Sequence, residues 1–416
     1  MSNLVIKSVL ILLLFTYCSG TTKQNNSAAE ELTLPKGFSA QTVVESLGSN
    51  RHLVMNSNGD LYVRVDKLLN SKGIIVLRNV NGKYQAVKSF GNYIGTGIAI
   101  KNGYLYASSN EEVFRYKMAN NEVVDPEHPE KIVTGLMMKN QHESKSIALD
   151  NAGNLYVTIG APSNACQVQD RAKGSPGQDP CPILEKAGGI WQFKANKLNQ
   201  SYPEGVRYAT GIRNIVGIDW NNKENQLYAV QHGRDQLSQF FPDLYNDEQS
   251  AELPAEEFFL VKKGSDFGWP YCYYDWMQKK KVQGPEYGGD GKKVGRCADK
   301  TQPIMGFPGH WAPNDLLFYT GKMFPPKYQN GAFIAFHGSW NRGSKQQGFF
   351  VVFVPFKNGK PSGNYEIFAD GFAGAATIAG SNQAKYRPCG LTQGSDGALY
   401  ISESQKGKIW KIVYGK

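Results

Sequence analysis

Six histidines and a handful of cations at recurring positions are the side chains with chemistry to offer in this sequence. His142 stands in Gln141-His142-Glu143-Ser144-Lys145-Ser146, immediately ahead of the apolar run Ile147-Ala148-Leu149. Arg213 and Asn214 stand in the same way ahead of Ile215-Val216-Gly217-Ile218, and Lys385 and Arg387 ahead of Cys389-Gly390-Leu391. His232, within His232-Gly233-Arg234-Asp235, follows the run Leu227-Tyr228-Ala229-Val230-Gln231. A neutral imidazole takes a proton from a hydroxyl near neutral pH, and guanidinium forks hold carboxylates. Together they suit proton removal beside a small, multiply anionic ligand. The other histidines have duller readings: His310 and His337 pack beside Trp311 and Trp340, and His52 and His128 lie in polar loops.

An Asx/Gly turn feeding a short apolar strand recurs along the chain and must position these residues. Copies stand at Asn58-Gly59-Asp60, Asn102-Gly103, Asn151-Ala152-Gly153, Asn222 to Asn225, Asn330-Gly331 and Asp396-Gly397, six in all. Such turns initiate hairpins, and units of this kind with variable loops make a β-propeller, here six-bladed and all-β. In that architecture the strand nearest the axis brings its leading end to the mouth of the central channel. His142, Arg213, Asn214 and Arg387 then converge from separate blades, and Lys385, two residues from Arg387, shares its face if the strand is extended. The segment Gly37 to Val44 comes too early for the first repeat and is expected to pair with Ile409 to Val413, closing the ring. The stretch between Leu227 and Phe333 far exceeds the compact early repeats, and such insertions are where sites are built.

The net charge of +10 is spread without a basic helix or an aromatic-interleaved basic stripe, so it reads as a basic surface, not a nucleic-acid interface. Lys7 followed by Val9 to Phe15 has the form of an export signal. Residues 1–18 are therefore expected to be a signal, residues 19–33 a flexible tether, and residues 34–416 one propeller domain. Cys18 resembles the lipidated residue of a bacterial lipoprotein signal; ordinary secretion is the alternative. Lipidation implies a periplasmic or outer-membrane-tethered protein whose only membrane contact is the anchor. Export favours local pairing of Cys166 with Cys181 and Cys272 with Cys297, leaving Cys389 as a buried thiol. Gly95-Thr96-Gly97 lacks the third glycine of a nicotinamide site.

Gly211-Ile212-Arg213-Asn214, His232-Gly233-Arg234-Asp235, Gly268-Trp269-Pro270, His310-Trp311-Ala312-Pro313 and His337-Gly338-Ser339-Trp340-Asn341-Arg342 occur in this order. The set resembles the sorbosone dehydrogenase branch of the soluble quinoprotein sugar dehydrogenases, from about residue 34 to the C-terminus. The resemblance implies pyrroloquinoline quinone (PQQ) and calcium as cofactors and hydride transfer from an aldose or sugar aldehyde. It implies His142 as general base, and Arg213, Asn214, His232, Asn314, Arg342, Lys385 and Arg387 around the cofactor. It implies a cofactor calcium on backbone carbonyls of Gly233 and Arg234, and a further calcium on the Glu257 carboxylate and the Phe267 carbonyl. An external quinone or cytochrome would take the electrons. A calcium-dependent lactonase-type hydrolase and a glycan- or protein-binding propeller are the competing classes; the first would need a carboxylate cluster around its metal.

Overall fold

The computed structural model describes residue 1 and residues 31–138 and 140–415. The expected signal, Cys18 included, and most of the tether lie outside the described residues. Residues 31–33, expected in the tether, are instead tied down: Leu32 is buried and the Thr33 N–H donates to the Asp370 carbonyl at 2.9 Å.

Each Asx/Gly turn joins the first two strands of one antiparallel sheet. The first blade comprises Asn50–Met55, Leu61–Leu69, Lys72–Val80 and Lys83–Phe90. The innermost strands of the following blades are Ile98–Lys101, Ile147–Leu149, Ile215–Asn221, Pro313–Phe318 and Pro388–Gln393. Each innermost strand touches the next, and the last touches the first, so the ring of six blades is closed. Closure is made as expected: Phe38–Val44 pairs antiparallel with Ile409–Tyr414, giving the sixth blade its outer strand. Gly59 shows why the turns need glycine. Its φ is +86° while a side chain there would meet nothing within 4 Å, so backbone conformation, not crowding, sets the requirement.

Strands in such a ring bury both faces, because successive side chains point into opposite inter-blade seams. In the fourth blade Leu227 and Ala229 pack toward the third, whereas Tyr228 and Val230 pack toward the fifth. One apolar cluster fills each of the six seams. The two expected disulfides are present, and Cys389 is free and fully buried.

Candidate active site

A cavity of about 240 Å³ opens at the leading ends of the inner strands of the third to fifth blades. His142 lies on its wall just before Ile147–Leu149, and Gly160 permits the close approach that seats it. A Cβ on Gly160 would stand 2.6 Å from the His142 Cβ and 2.9 Å from the Asn214 side-chain oxygen. His142 Nδ1 donates to the Ala161 carbonyl at 2.5 Å, so the proton is fixed on Nδ1 and Nε2 is left as the acceptor. Burial, reinforced by the Arg213 charge, pushes the His142 pKa down to about 3, and the imidazole is neutral. His232 is pushed down to about 4 for the same reasons; its Nε2 donates to the Pro313 carbonyl at 3.0 Å.

Asp235 is the hub of the charged wall. Arg213 donates to its Oδ2 at 2.7 Å and Arg171 at 2.9 Å, while Asn341 donates to Oδ1 at 2.8 Å. Burial pushes the Asp235 carboxyl up, but Arg213, His310 and Arg171 outweigh it and hold it below the usual range. Glu256, on the same wall, accepts from the backbone N–H of Gly233 and of Ala312. Burial nevertheless raises it to about 8, so near neutrality it is largely uncharged. Two arginines thus share one carboxylate. Two further guanidiniums have no carboxylate partner among the described residues. Arg51 donates only to the hydroxyls of Thr96 and Ser144, and Arg387 only to the carbonyls of His337 and Gly338. His337, beside them, lies well below the usual imidazole range through burial, then through Arg387 and Arg51. Arg213 Nε, Asn214 Oδ1 and Asn341 Oδ1 are buried without partners, which marks a surface made for polar company.

Strain gathers in the same place. Away from the site, left-handed backbone outside glycine falls mainly on asparagines in turns; here it falls on His142 (φ 56°), Arg171 (57°), His310 (68°) and Ala312 (58°). A larger groove of about 360 Å³ lies between the sixth and first blades at the other end of the ring. Its charges cancel internally, Arg78 with Asp60 and Glu122 and Lys411 with Asp396, so it offers no anion site.

The structure brings together His142, Arg213, Asn214, His232 and Gly233 of the sequence-predicted set, with Arg387 close to His337. Others stand elsewhere. Lys385 does not share a face with Arg387: it turns out to the surface and pairs with Glu31 at 2.7 Å. Arg342 is a buried tie between loops, bonding the Ala251 and Gly309 carbonyls and Glu252. Asn314 does not line the cavity: its side chain donates to the buried Cys389 thiol, and its carbonyl accepts from His52 at 2.7 Å. His52 is therefore a buried strand residue, not a loop residue. The Arg234 guanidinium is bound to buried Glu286 at 2.5 Å, leaving only its backbone for a ligand. Glu257 is paired with Lys281, and Phe267 stacks on Phe259 at 3.8 Å.

Sequence reasoning missed Arg51, Arg171, Asp235 and Glu256. Arg51 was open to discovery because, like Arg213 and Arg387, it stands at the leading end of an innermost strand, although it lies inside Asn50–Met55 and they lie just ahead of theirs. Glu256 and Glu257 are neighbours on one strand, and the period of two sends them to opposite faces. Asp235 and Arg171 meet only through the fold.

The family model described as TrAA12-like matches residues 32–415. The chain is 23% identical to a pyrroloquinoline quinone-dependent sugar dehydrogenase of Hypocrea jecorina (strain QM6a), over 97% of this chain and 96% of the relative. The calcium structure of a Trichoderma reesei family AA12 enzyme superposes with a TM-score of 0.73 at 19% identity, covering 93% of this chain and 98% of that one. The holo PQQ domain of Coprinopsis cinerea pyranose dehydrogenase gives 0.72 at 19% identity, covering 92% and 97%. At such identity these structures speak for the fold. The narrower sorbosone branch gains no support from the matches.

Proposed function

The chain belongs to the TrAA12-like family, and from that premise we propose that it is a quinoprotein dehydrogenase that oxidises an aldose or related sugar aldehyde with PQQ. The observation that carries the reading is the pairing of a neutral, tautomer-fixed His142 with more guanidinium charge than the wall's carboxylates neutralise. Relatives named as PQQ-dependent sugar dehydrogenases support it.

The residues present fit PQQ. Its three carboxylates match the guanidiniums of Arg51, Arg213 and Arg387, and Arg213 Nε is a buried donor with no partner. Bound there, PQQ supplies an electrophilic quinone that accepts a hydride, and calcium beside it would polarise the quinone oxygen. For that calcium the backbone carbonyls of Gly233 and Arg234 are the candidates; the Gly233 carbonyl already shares its lone pairs with Arg213 at 2.9 Å. His142 Nε2 takes the proton of the sugar hydroxyl at the carbon being oxidised. The Ala161 carbonyl holds the ring in register, and Asp235 holds Arg213 and Arg171 against the wall. Trp340, 56% exposed at the rim, offers an indole face to the C–H face of the sugar. Export, a lipid on Cys18 and an external quinone or cytochrome as acceptor complete the proposal.

The hydrolase reading is weaker. Asp235 is taken by arginines and Glu256 by backbone N–H groups, and among the described residues no cluster of three metal-ligating side chains exists. Purified apo-protein should gain dye-linked oxidation of aldoses on addition of PQQ and calcium, and not on addition of calcium alone. Calcium-dependent lactone hydrolysis without PQQ would overturn the reading.

A further inference from the structure

Glu257 faces away from the mouth, and its environment is closed. Lys281 Nζ donates to Glu257 Oε2 at 2.5 Å, and Gln231 Nε2 donates to Oε1 at 2.7 Å. The two charged side chains are 0% and 3% exposed for Lys281 and Glu257. Both carboxylate oxygens are therefore engaged, one of them by a buried cation. The cleft beside them measures about 20 Å³, room for about one water. Calcium asks for six to eight oxygens, and a carboxylate already bound by an ammonium does not fit it.

The ammonium arrives by a route specific to the long insertion. Lys281 lies on Lys280–Gln283, which pairs with Cys272–Asp275 to form a hairpin, and the Cys272–Cys297 disulfide holds that hairpin down. Lys279-Lys280-Lys281 looks in sequence like a solvated run. The strand period turns Lys281 inward while half-buried Lys280 points the other way and donates to the Lys292 carbonyl. Burying a lysine is costly unless it meets a fixed anion, and Glu257, rigid on the third strand of the fourth blade, is that anion.

We propose that Lys281 is a built-in replacement for the calcium ion expected at Glu257: a cation carried on a stapled hairpin, so that this side of the fourth blade needs no metal of its own. The family reading enters only in saying where a calcium is expected. The test is run without PQQ, so its outcome does not depend on whether the cofactor binds.

Thermal unfolding of the PQQ-free protein is measured in excess EGTA and in millimolar calcium. The wild type should unfold at the same temperature in both. Lys281→Ala opens the ammonium's place to water and leaves a buried carboxylate uncompensated, so in EGTA its Tm should drop by several degrees. Calcium should restore much of that loss, because the freed Glu257 and water in the opened space can hold the ion. The double variant Glu257→Gln with Lys281→Met carries neither charge and keeps the space filled; it should fold and respond to neither reagent, which keeps the test decisive if the single variant does not fold in EGTA. Three results would overturn the proposal. One is a wild-type Tm that falls in EGTA and recovers with calcium unless Glu257 is replaced by Gln. Another is a Lys281→Ala protein as stable as wild type in EGTA. The third is a Lys281→Ala loss that calcium does not relieve, which would make the pair an ordinary buried ion pair.

Discussion

At the end of the ring where the Asx/Gly turns lie, charges are satisfied locally: Arg78 binds Asp60 and Glu122, Lys411 binds Asp396, and left-handed backbone falls on glycine and asparagine. At the mouth end the same strands carry two arginines on one aspartate, two arginines with no carboxylate, and left-handed backbone on histidine, arginine and alanine. One end settles its charges and its turns mostly by local rules. The other breaks several within one cavity, and rule-breaking of that kind is expected where a ligand completes the structure.

The largest way to break this contrast is to remove the base. His142→Ala should lower kcat by about 10² to 10⁴-fold while PQQ affinity stays near wild type; equal loss of both would make His142 a binding residue. Next in size are the guanidiniums. Arg51→Ala or Arg387→Ala should each weaken PQQ by about 1.5 to 3 kcal/mol, the scale of hydrogen bonds to a charged group, and equilibrium titration of each variant reads this directly. Arg51 sharpens the comparison most, since it was found in the fold and not in the sequence motifs.

The third is pH. Burial holds His52, His142 and His232 at about 3, 3 and 4 in the folded state. Their folded pKa values lie below the ordinary 6.5, so the unfolded chain binds protons more readily. Stability is full above pH 6.5 and is lost as pH falls toward 4, by up to about 1.4 kcal/mol per histidine per pH unit. Glu256, raised to about 8, acts oppositely and loses stability as pH rises from 4.5 to 8. Three more buried carboxyls held high, Asp219, Glu257 and Asp315, act with Glu256, and His310 and His337 act with the other histidines, so the two sets largely offset each other and denaturant midpoints should change little between pH 6.5 and 4.5. The direct check is the imidazole NMR signals of the folded apo-protein: those of the five buried histidines should not move over this range, and titration of any of them near 6.5 would contradict their assignment as neutral, buried groups. The smallest effect belongs to the turn end: Lys411→Ala breaks a partly exposed pair and should cost under about 1 kcal/mol, with PQQ affinity unchanged.

The same contrast explains what the sequence disclosed. The six turns, the closing strand and both disulfides were legible because each rests on a few neighbouring residues or on one repeat. His142, Arg213 and Arg387 were legible because the repeat places them at the leading ends of inner strands. Lys385 misled because the chain before the last inner strand is not extended in the required sense, and Glu31 draws its ammonium outward. Glu257 misled because its partner, Lys281, comes from a hairpin whose placement no local signal gives. The Asp235 hub ties three other loops to its own and belongs to tertiary structure alone.

The most direct test of the central claim, that the mouth is completed by a multiply anionic quinone, is an equilibrium titration of apo-protein with PQQ, followed by quenching of tryptophan fluorescence. Wild type should saturate at one PQQ per chain, and the double variant Arg213→Ala with Arg387→Ala should lose saturable binding while remaining folded. No saturable binding in wild type, or the same curve in the double variant, would contradict the account.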